Sequence, residues 1–143
     1  MYDMAEALIK LGVEKALVVH SDDGLDEVSL FEKTKILTIE NNNIKEEYFD
    51  PMKYFNYVDF TSKDLKANSP KESAEIILAI AQNKEKNIFR HIVSLNSAFI
   101  LMLADMTTSF ESALEICEEN IDNGSMLKKI EQLREFTNNN QNA

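Results

Sequence analysis

The chain has 143 residues, with 25 acidic against 15 basic side chains and a formal charge of −10, enough for one domain with a core burying about two-thirds of its unfolded surface. The basic residues are scattered, which excludes a nucleic-acid footprint, and the single Cys117 excludes a disulfide framework or a paired-cysteine metal site and fits a reducing cytoplasm. An acidic protein of this kind would need a metal to handle phosphate.

In chain order, Met4, Ala5, Leu8 and Ile9 repeat at helical spacing, and Gly12 is placed to close that helix. Met1 to Gly12 carries acidic residues and does not read as a signal peptide. Ala16 to Val19 is an unbroken apolar run, predicting a parallel strand covered on both faces and ending near His20. A helix leading at once into a buried strand is half of a βαβ unit whose earlier strand is absent, a hint of truncation. Asp22, Asp23 and Gly24 then break the chain, the glycine by admitting φ > 0 and the aspartates by bonding their own backbone.

Four carboxylates, Asp22, Asp23, Asp26 and Glu27, follow the strand within six residues. Ligands of open α/β sheets bind beyond the carboxyl ends of strands. Asp26 and Glu27 are adjacent, so they converge on a turn or bulge but not on an extended strand. Two convergent carboxylates repel by about 1 kcal/mol at ~5 Å in water, so a site holding them together favours a cation. Mg²⁺ suits oxygen-only ligands and fills its remaining positions with water or phosphate oxygens. The plainer reading is a solvated Asp-rich turn without a ligand. The spaced pattern of an EF-hand loop is missing.

Lys35 to Ile39 and Ile44 to Phe49 read as strands of a hairpin joined through Asn41, Asn42 and Asn43. From Asp50 to Asn68 the period disappears, but Tyr54, Phe55, Tyr57 and Phe60 remain; they are expected to pin a long loop to the core, in preference to stacking on a base. Ser69, Pro70 and Glu72 form a capping box for a helix with Ala74, Ile77, Leu78 and Ala81 on its apolar face. Ile88 to Met106 is apolar nearly all round and reads as an enclosed helix. It contains Arg90, His91, Ser94 and Asn96 and lacks the run of about 20 apolar residues that spans a membrane. Asn96 is read as a structural amide bonding a neighbouring loop. Thr108 and Glu111 cap the next helix, whose buried stripe is Phe110, Ala113, Leu114, Cys117 and Ile121, and Asn123-Gly124 ends it. Ser125 opens a last helix carrying Leu127, Ile130 and Leu133. Residues 138–143 are expected to be a disordered tail. His20 and His91 do not suggest a metal pair.

The segments Met4 to Gly12, Lys15 to His20 and Asp23 to Ser29 together resemble the signature of the anthranilate phosphoribosyltransferase family, of which Asp23-Gly24-Leu25-Asp26-Glu27 is the specific part. Thr34 to Glu40 with Ile44 to Tyr48, Ser69 to Ala74, and Ile92 to Ala98 resemble later family segments in the same order. The resemblance implies phosphoribosyl transfer from phosphoribosyl pyrophosphate to anthranilate in tryptophan biosynthesis, with Asp26 and Glu27 as Mg²⁺ ligands. The family's glycine-rich pyrophosphate loop, its KHGN segment and its anthranilate-contacting residues lie upstream and have no counterpart here. Ser21 stands where the family usually has glycine, and Ala67-Asn68 where it has a glycine pair.

The expected fold is α/β: a partial parallel sheet with a β-hairpin, flanked by four to five helices, as in the carboxyl-terminal domain of nucleoside phosphorylases and phosphoribosyltransferases. Residues 1–137 form the single domain. The expected protein is a cytoplasmic transferase in truncated or split form, inactive alone, with a separate glycine-rich half or a homodimer as its partner, and with neither nucleic acid nor membrane. The rival is a noncatalytic interaction module that keeps the scaffold.

Overall fold

The computed structural model describes residues 1–140. Helix α1 (Tyr2–Lys10) leads into strand β1 (Lys15–Ser21), and strands β2 (Thr34–Glu40) and β3 (Asn43–Phe49) complete a sheet of order β1-β2-β3. Helices α2 (Pro70–Ala81), α3 (Ile88–Leu103), α4 (Phe110–Asp122) and α5 (Ser125–Asn140) follow. The mixed α/β class and the five flanking helices agree with expectation.

The parallel strand does not. β1 pairs antiparallel with β2, from Lys15 opposite Glu40 to Ser21 opposite Thr34, and β2 pairs antiparallel with β3. The apolar run of β1 reports something else. Val18 and Ala16 pack with Ala5, Leu8 and Ile9 of α1, whereas Val19 packs into the core that α3 and α4 build. Helices therefore cover both faces of the strand, which removes the alternation of a half-wetted one. Two covered faces say nothing about strand direction, and loop 22–33 simply returns the chain alongside β1. Among the described residues, the other edge of β1 has no strand partner.

Local chemistry sets the boundaries. Gly12, at φ 81°, closes α1 with its N–H on the Ile9 carbonyl (2.9 Å) and the Val13 N–H on Leu8 (3.0 Å), the paired bonds of a Schellman motif. Asn41 and Asn42 have φ of 50° and 62°, the two positive values a type I′ hairpin turn requires. Ser69 Oγ accepts from the Glu72 N–H (3.1 Å), but the Glu72 carboxylate takes the Asn68 N–H (2.7 Å), so the capping box is displaced by one residue. α4 is capped by Ser109, not Thr108: Ser109 Oγ accepts from the Ser112 N–H at 3.1 Å.

Three helices differ from the pattern reading, two in the face they bury and one in its length. α2 buries Ile80 and Ala81 and leaves Ala74, Ile77 and Leu78 exposed, because its carboxyl-terminal end is the part held against the body. α3 stops at Leu103 because Asp105 adopts φ 55° and turns the chain; Ile100 and Met106 are exposed, so the helix is enclosed on one face only. α5 continues to Asn140, across the start of the expected tail, whose remainder (141–143) lies outside the described residues.

The main core joins Val28 and Leu30 of the loop after β1 to Ile88, Ile92, Leu95 and Ala98 of α3 and Phe110, Ala113 and Cys117 of α4. Burial raises the Cys117 thiol pKa, in keeping with its role as a small buried hydrophobe. Arg90 is buried yet paired: Nε donates to Glu118 (2.5 Å), Nη1 to Asn83 Oδ1 (2.7 Å), and Nη2 meets Asp122 (2.9 Å), which joins the end of α2 to α4. Desolvation alone would lower this guanidinium's pKa, but its two carboxylate partners hold it raised.

Candidate functional site

The segment beyond β1 has no regular secondary structure, yet its backbone is closely held. At its entry, the Ser21 N–H donates to the Leu25 carbonyl (3.1 Å), the Gly24 N–H donates to the Ser21 carbonyl (3.0 Å) and the Leu25 N–H donates to Ser21 Oγ (3.1 Å). Gly24 sits at φ 88°, so the turn needs glycine there. The Asp23 carboxylate accepts from the Ser21 hydroxyl, from the Ser29 hydroxyl (2.8 Å) and, at 3.4 Å, from the Leu25 N–H. Ser29 Oγ in turn accepts from the N–H groups of Phe31 (3.0 Å) and Glu32 (3.3 Å), and Thr34 Oγ1 accepts from the Ser29 N–H (3.0 Å). Ser21, Ser29 and Thr34 are fully buried, so these bonds satisfy groups that would otherwise be costly to desolvate.

At the exit, Asn96 of α3 reaches across. Its Oδ1 accepts from the Val28 N–H (2.9 Å), and its Nδ2 donates to the carbonyls of Val28 and Ile92, both at 3.0 Å. The structural reading of Asn96 is borne out, and the loop it bonds is the acidic one.

Asp26 and Glu27 lie between these two anchorages. Both are exposed, and neither takes part in a hydrogen bond or ion pair among the described residues. No group of three or more His, Cys, Asp or Glu side chains forms a metal cage among the described residues. The donor chemistry fits a hard cation nonetheless: two oxygen-only carboxylates on a held backbone, with water or phosphate oxygens left to complete the shell. Asp22 is exposed, and His20 is exposed at the end of β1. Asp23 is spent internally: its bond to the Leu25 N–H is the local backbone contact expected of a turn aspartate, whereas its bonds to the Ser21 and Ser29 hydroxyls were not foreseen.

The aromatic segment 50–68 lies on the other side of a cleft of about 470 Å³ whose walls include Asp23, Phe31, Glu32, Tyr57 and Phe60. Neither Asp26 nor Glu27 lines that cleft. Tyr54 stacks on Phe49 (centroids 5.5 Å) and meets Phe110 edge-on at 4.5 Å, while Tyr57 OH hydrogen-bonds His91 Nδ1. The cluster pins the loop to the core, as expected. Burial holds the His91 pKa below, and the Tyr57 pKa above, its ordinary value.

Residues 1–127 match the family described as "Glycosyl transferase family, a/b domain", and the chain belongs to it. Within that class its likeness is to anthranilate phosphoribosyltransferases, as the motif resemblance implied. It is 36% identical to the anthranilate phosphoribosyltransferase of Caldicellulosiruptor saccharolyticus, over 85% of this chain and 35% of that protein. Against that of Clostridium beijerinckii it is 37% identical, over 92% of this chain and 38% of the relative. The chain thus spans well under half the length of these relatives. Among solved structures, the Thermus thermophilus anthranilate phosphoribosyltransferase superposes with a TM-score of 0.77 at 24% identity, over 90% of this chain and 37% of that one, a likeness of fold. A variant of the Saccharomyces cerevisiae enzyme with Mg bound superposes at 0.75 with 26% identity, over 91% of this chain and 37% of the other. No helix among the described residues is long and apolar enough to cross a membrane.

Proposed function

We propose that this chain supplies the metal-binding part of an anthranilate phosphoribosyltransferase, a cytoplasmic enzyme of tryptophan biosynthesis that joins phosphoribosyl pyrophosphate to anthranilate and releases pyrophosphate. The observation that carries the reading is the exposed, unpaired Asp26–Glu27 pair in the family's DGLDE motif, on the held loop between β1 and β2. In this reading Asp26 and Glu27 hold Mg²⁺ on the pyrophosphate of the donor. Bound there, Mg²⁺ supplies Lewis-acid stabilisation of charge on the departing pyrophosphate. The contribution of this chain is to present two anionic oxygens on a backbone that does not have to reorganise. None of its side chains is assigned as base or nucleophile, which fits a reaction assisted at the leaving group.

The same reading makes residues 1–137 one working unit that is inactive alone, in keeping with a match that covers 35–38% of the relatives' length. The unpaired edge of β1 favours a partner on that side, a separate glycine-rich half or a second copy, since an open apolar edge otherwise invites aggregation. If that partner only assembles with the chain, the result is the noncatalytic module.

The experiment is an assay of the purified 143-residue chain with phosphoribosyl pyrophosphate, Mg²⁺ and anthranilate, following loss of anthranilate fluorescence. No turnover alone, and turnover on adding a glycine-rich half, supports the proposal. Turnover by the chain alone contradicts its inactivity, and failure of any supplied half to restore turnover favours the module.

A further inference from the structure

We infer that Asp23 and Asn96 are positioning residues which together hold Asp26 and Glu27 in their metal-binding geometry; the inference rests on the reading of that pair as a Mg²⁺–pyrophosphate site. The backbone on either side of the pair is fixed. Leu25 is tied by both its polar groups, its carbonyl accepting from the Ser21 N–H (3.1 Å) and its N–H donating to Ser21 Oγ (3.1 Å). Val28 is likewise tied by both, through the side-chain amide of Asn96 at 2.9 and 3.0 Å. Only Asp26 and Glu27 lie between these fixed residues.

The two clamps differ in kind. Asp23 works within the loop, its two carboxylate oxygens bridging the buried hydroxyls of Ser21 and Ser29 and so tying the loop's start to the residue that follows Val28. Asn96 works from outside. It is anchored on α3 by its own bond to the Ile92 carbonyl (3.0 Å), and α3 is the helix that carries Leu95 and Ala98 into the main core. An amide is the side chain the position needs, because it must accept from one backbone group and donate to another of the same residue. Neither Asp23 nor Asn96 has to touch the cation. With the flanking residues held, the two carboxylate-bearing residues between them meet a cation without the entropy of ordering a loop at each binding event.

The test is a titration of the full chain with Mn²⁺ in the presence of inorganic pyrophosphate, read by the paramagnetic resonance signal of bound Mn²⁺. The variants are Asp23→Asn, Asn96→Leu and Asp26→Asn/Glu27→Gln, with Ile121→Val as a destabilised control remote from the loop. Thermal unfolding is recorded for each. The expected result is loss of the bound signal in the double variant and a tenfold or greater weakening in Asp23→Asn and Asn96→Leu. Ile121→Val should lower the unfolding temperature without changing Mn²⁺ affinity, which separates positioning from general stability. If the double variant loses the ion but Asp23→Asn and Asn96→Leu bind like wild type, the positioning inference is overturned and the site stands. If wild type does not bind, or the double variant binds equally well, the site reading fails and the inference falls with it.

Discussion

The two long connections, residues 22–33 and 50–68, face one another across a cleft and are held by different balances of polar bonds and ring packing. The first is fixed by buried hydroxyls, one carboxylate and one amide. The second folds locally into two short 3-10 turns, Pro51–Lys53 and Ser62–Leu65, and is packed mainly by rings: Tyr54 on Phe49 and Phe110, and Tyr57 beside Phe55 and Phe60. Hydrogen bonds have direction and fix individual backbone groups, whereas ring packing fixes a segment's position with less control of each amide. The difference explains why the acidic connection is the better place for a site that must hold two charges a set distance apart.

The largest expected effect breaks the aromatic side. Phe110 meets Phe49, Tyr54 and Phe99 and is almost fully buried, so Phe110→Ala should cost about 3–5 kcal/mol in urea unfolding. It should loosen 50–68 in hydrogen exchange and leave the Leu25 and Val28 amides protected. The reciprocal change is Asn96→Ala, which strands the buried N–H and carbonyl of Val28; a loss of about 2 kcal/mol is expected, with exchange rising at Val28 and not at 50–68. If either variant loosens both connections equally, they are one unit and the comparison fails.

Mild acid should act on the aromatic side through His91. The folded protein holds His91 below its ordinary pKa of about 6.5, so below that value the unfolded chain takes up a proton that the folded one resists. Stability should therefore fall as pH drops through about 6.5 and level off once the folded group also protonates. The loss should appear first in exchange at 55–60, where half-buried His91 packs against Phe55 and Tyr57, and it should flatten in His91→Gln. The smallest effect on stability belongs to Asp26→Asn/Glu27→Gln, within about ±0.5 kcal/mol, since the side chains are exposed and unpaired.

How far the sequence foretold this depends on the kind of signal. Turn chemistry read well: Gly12, Gly24 and the Asn41-Asn42 pair carry local conformational demands that no packing overrides. Pairing direction did not, because the apolar run Ala16 to Val19 records cover by α1 and α3 on two faces and is silent on which way β2 runs. The apolar faces of α2 and α3 were misassigned where exposed Ile77, Leu78 and Ile100 fit helical periodicity as well as buried residues do. The DGLDE motif was legible. Its supports were not, since the bonds of Asp23 to Ser29 and of Asn96 to Val28 join residues whose proximity only the folded chain creates.

Everything proposed for this chain turns on Asp26 and Glu27 being a cation site and not a solvated turn. Calorimetric titration of the chain with phosphoribosyl pyrophosphate, with and without Mg²⁺, tests it most directly against Asp26→Asn/Glu27→Gln. Weak binding that needs both the metal and the two carboxylates is the predicted result. Binding that survives the double substitution, or none under either condition, would contradict it and leave the turn as acidic surface.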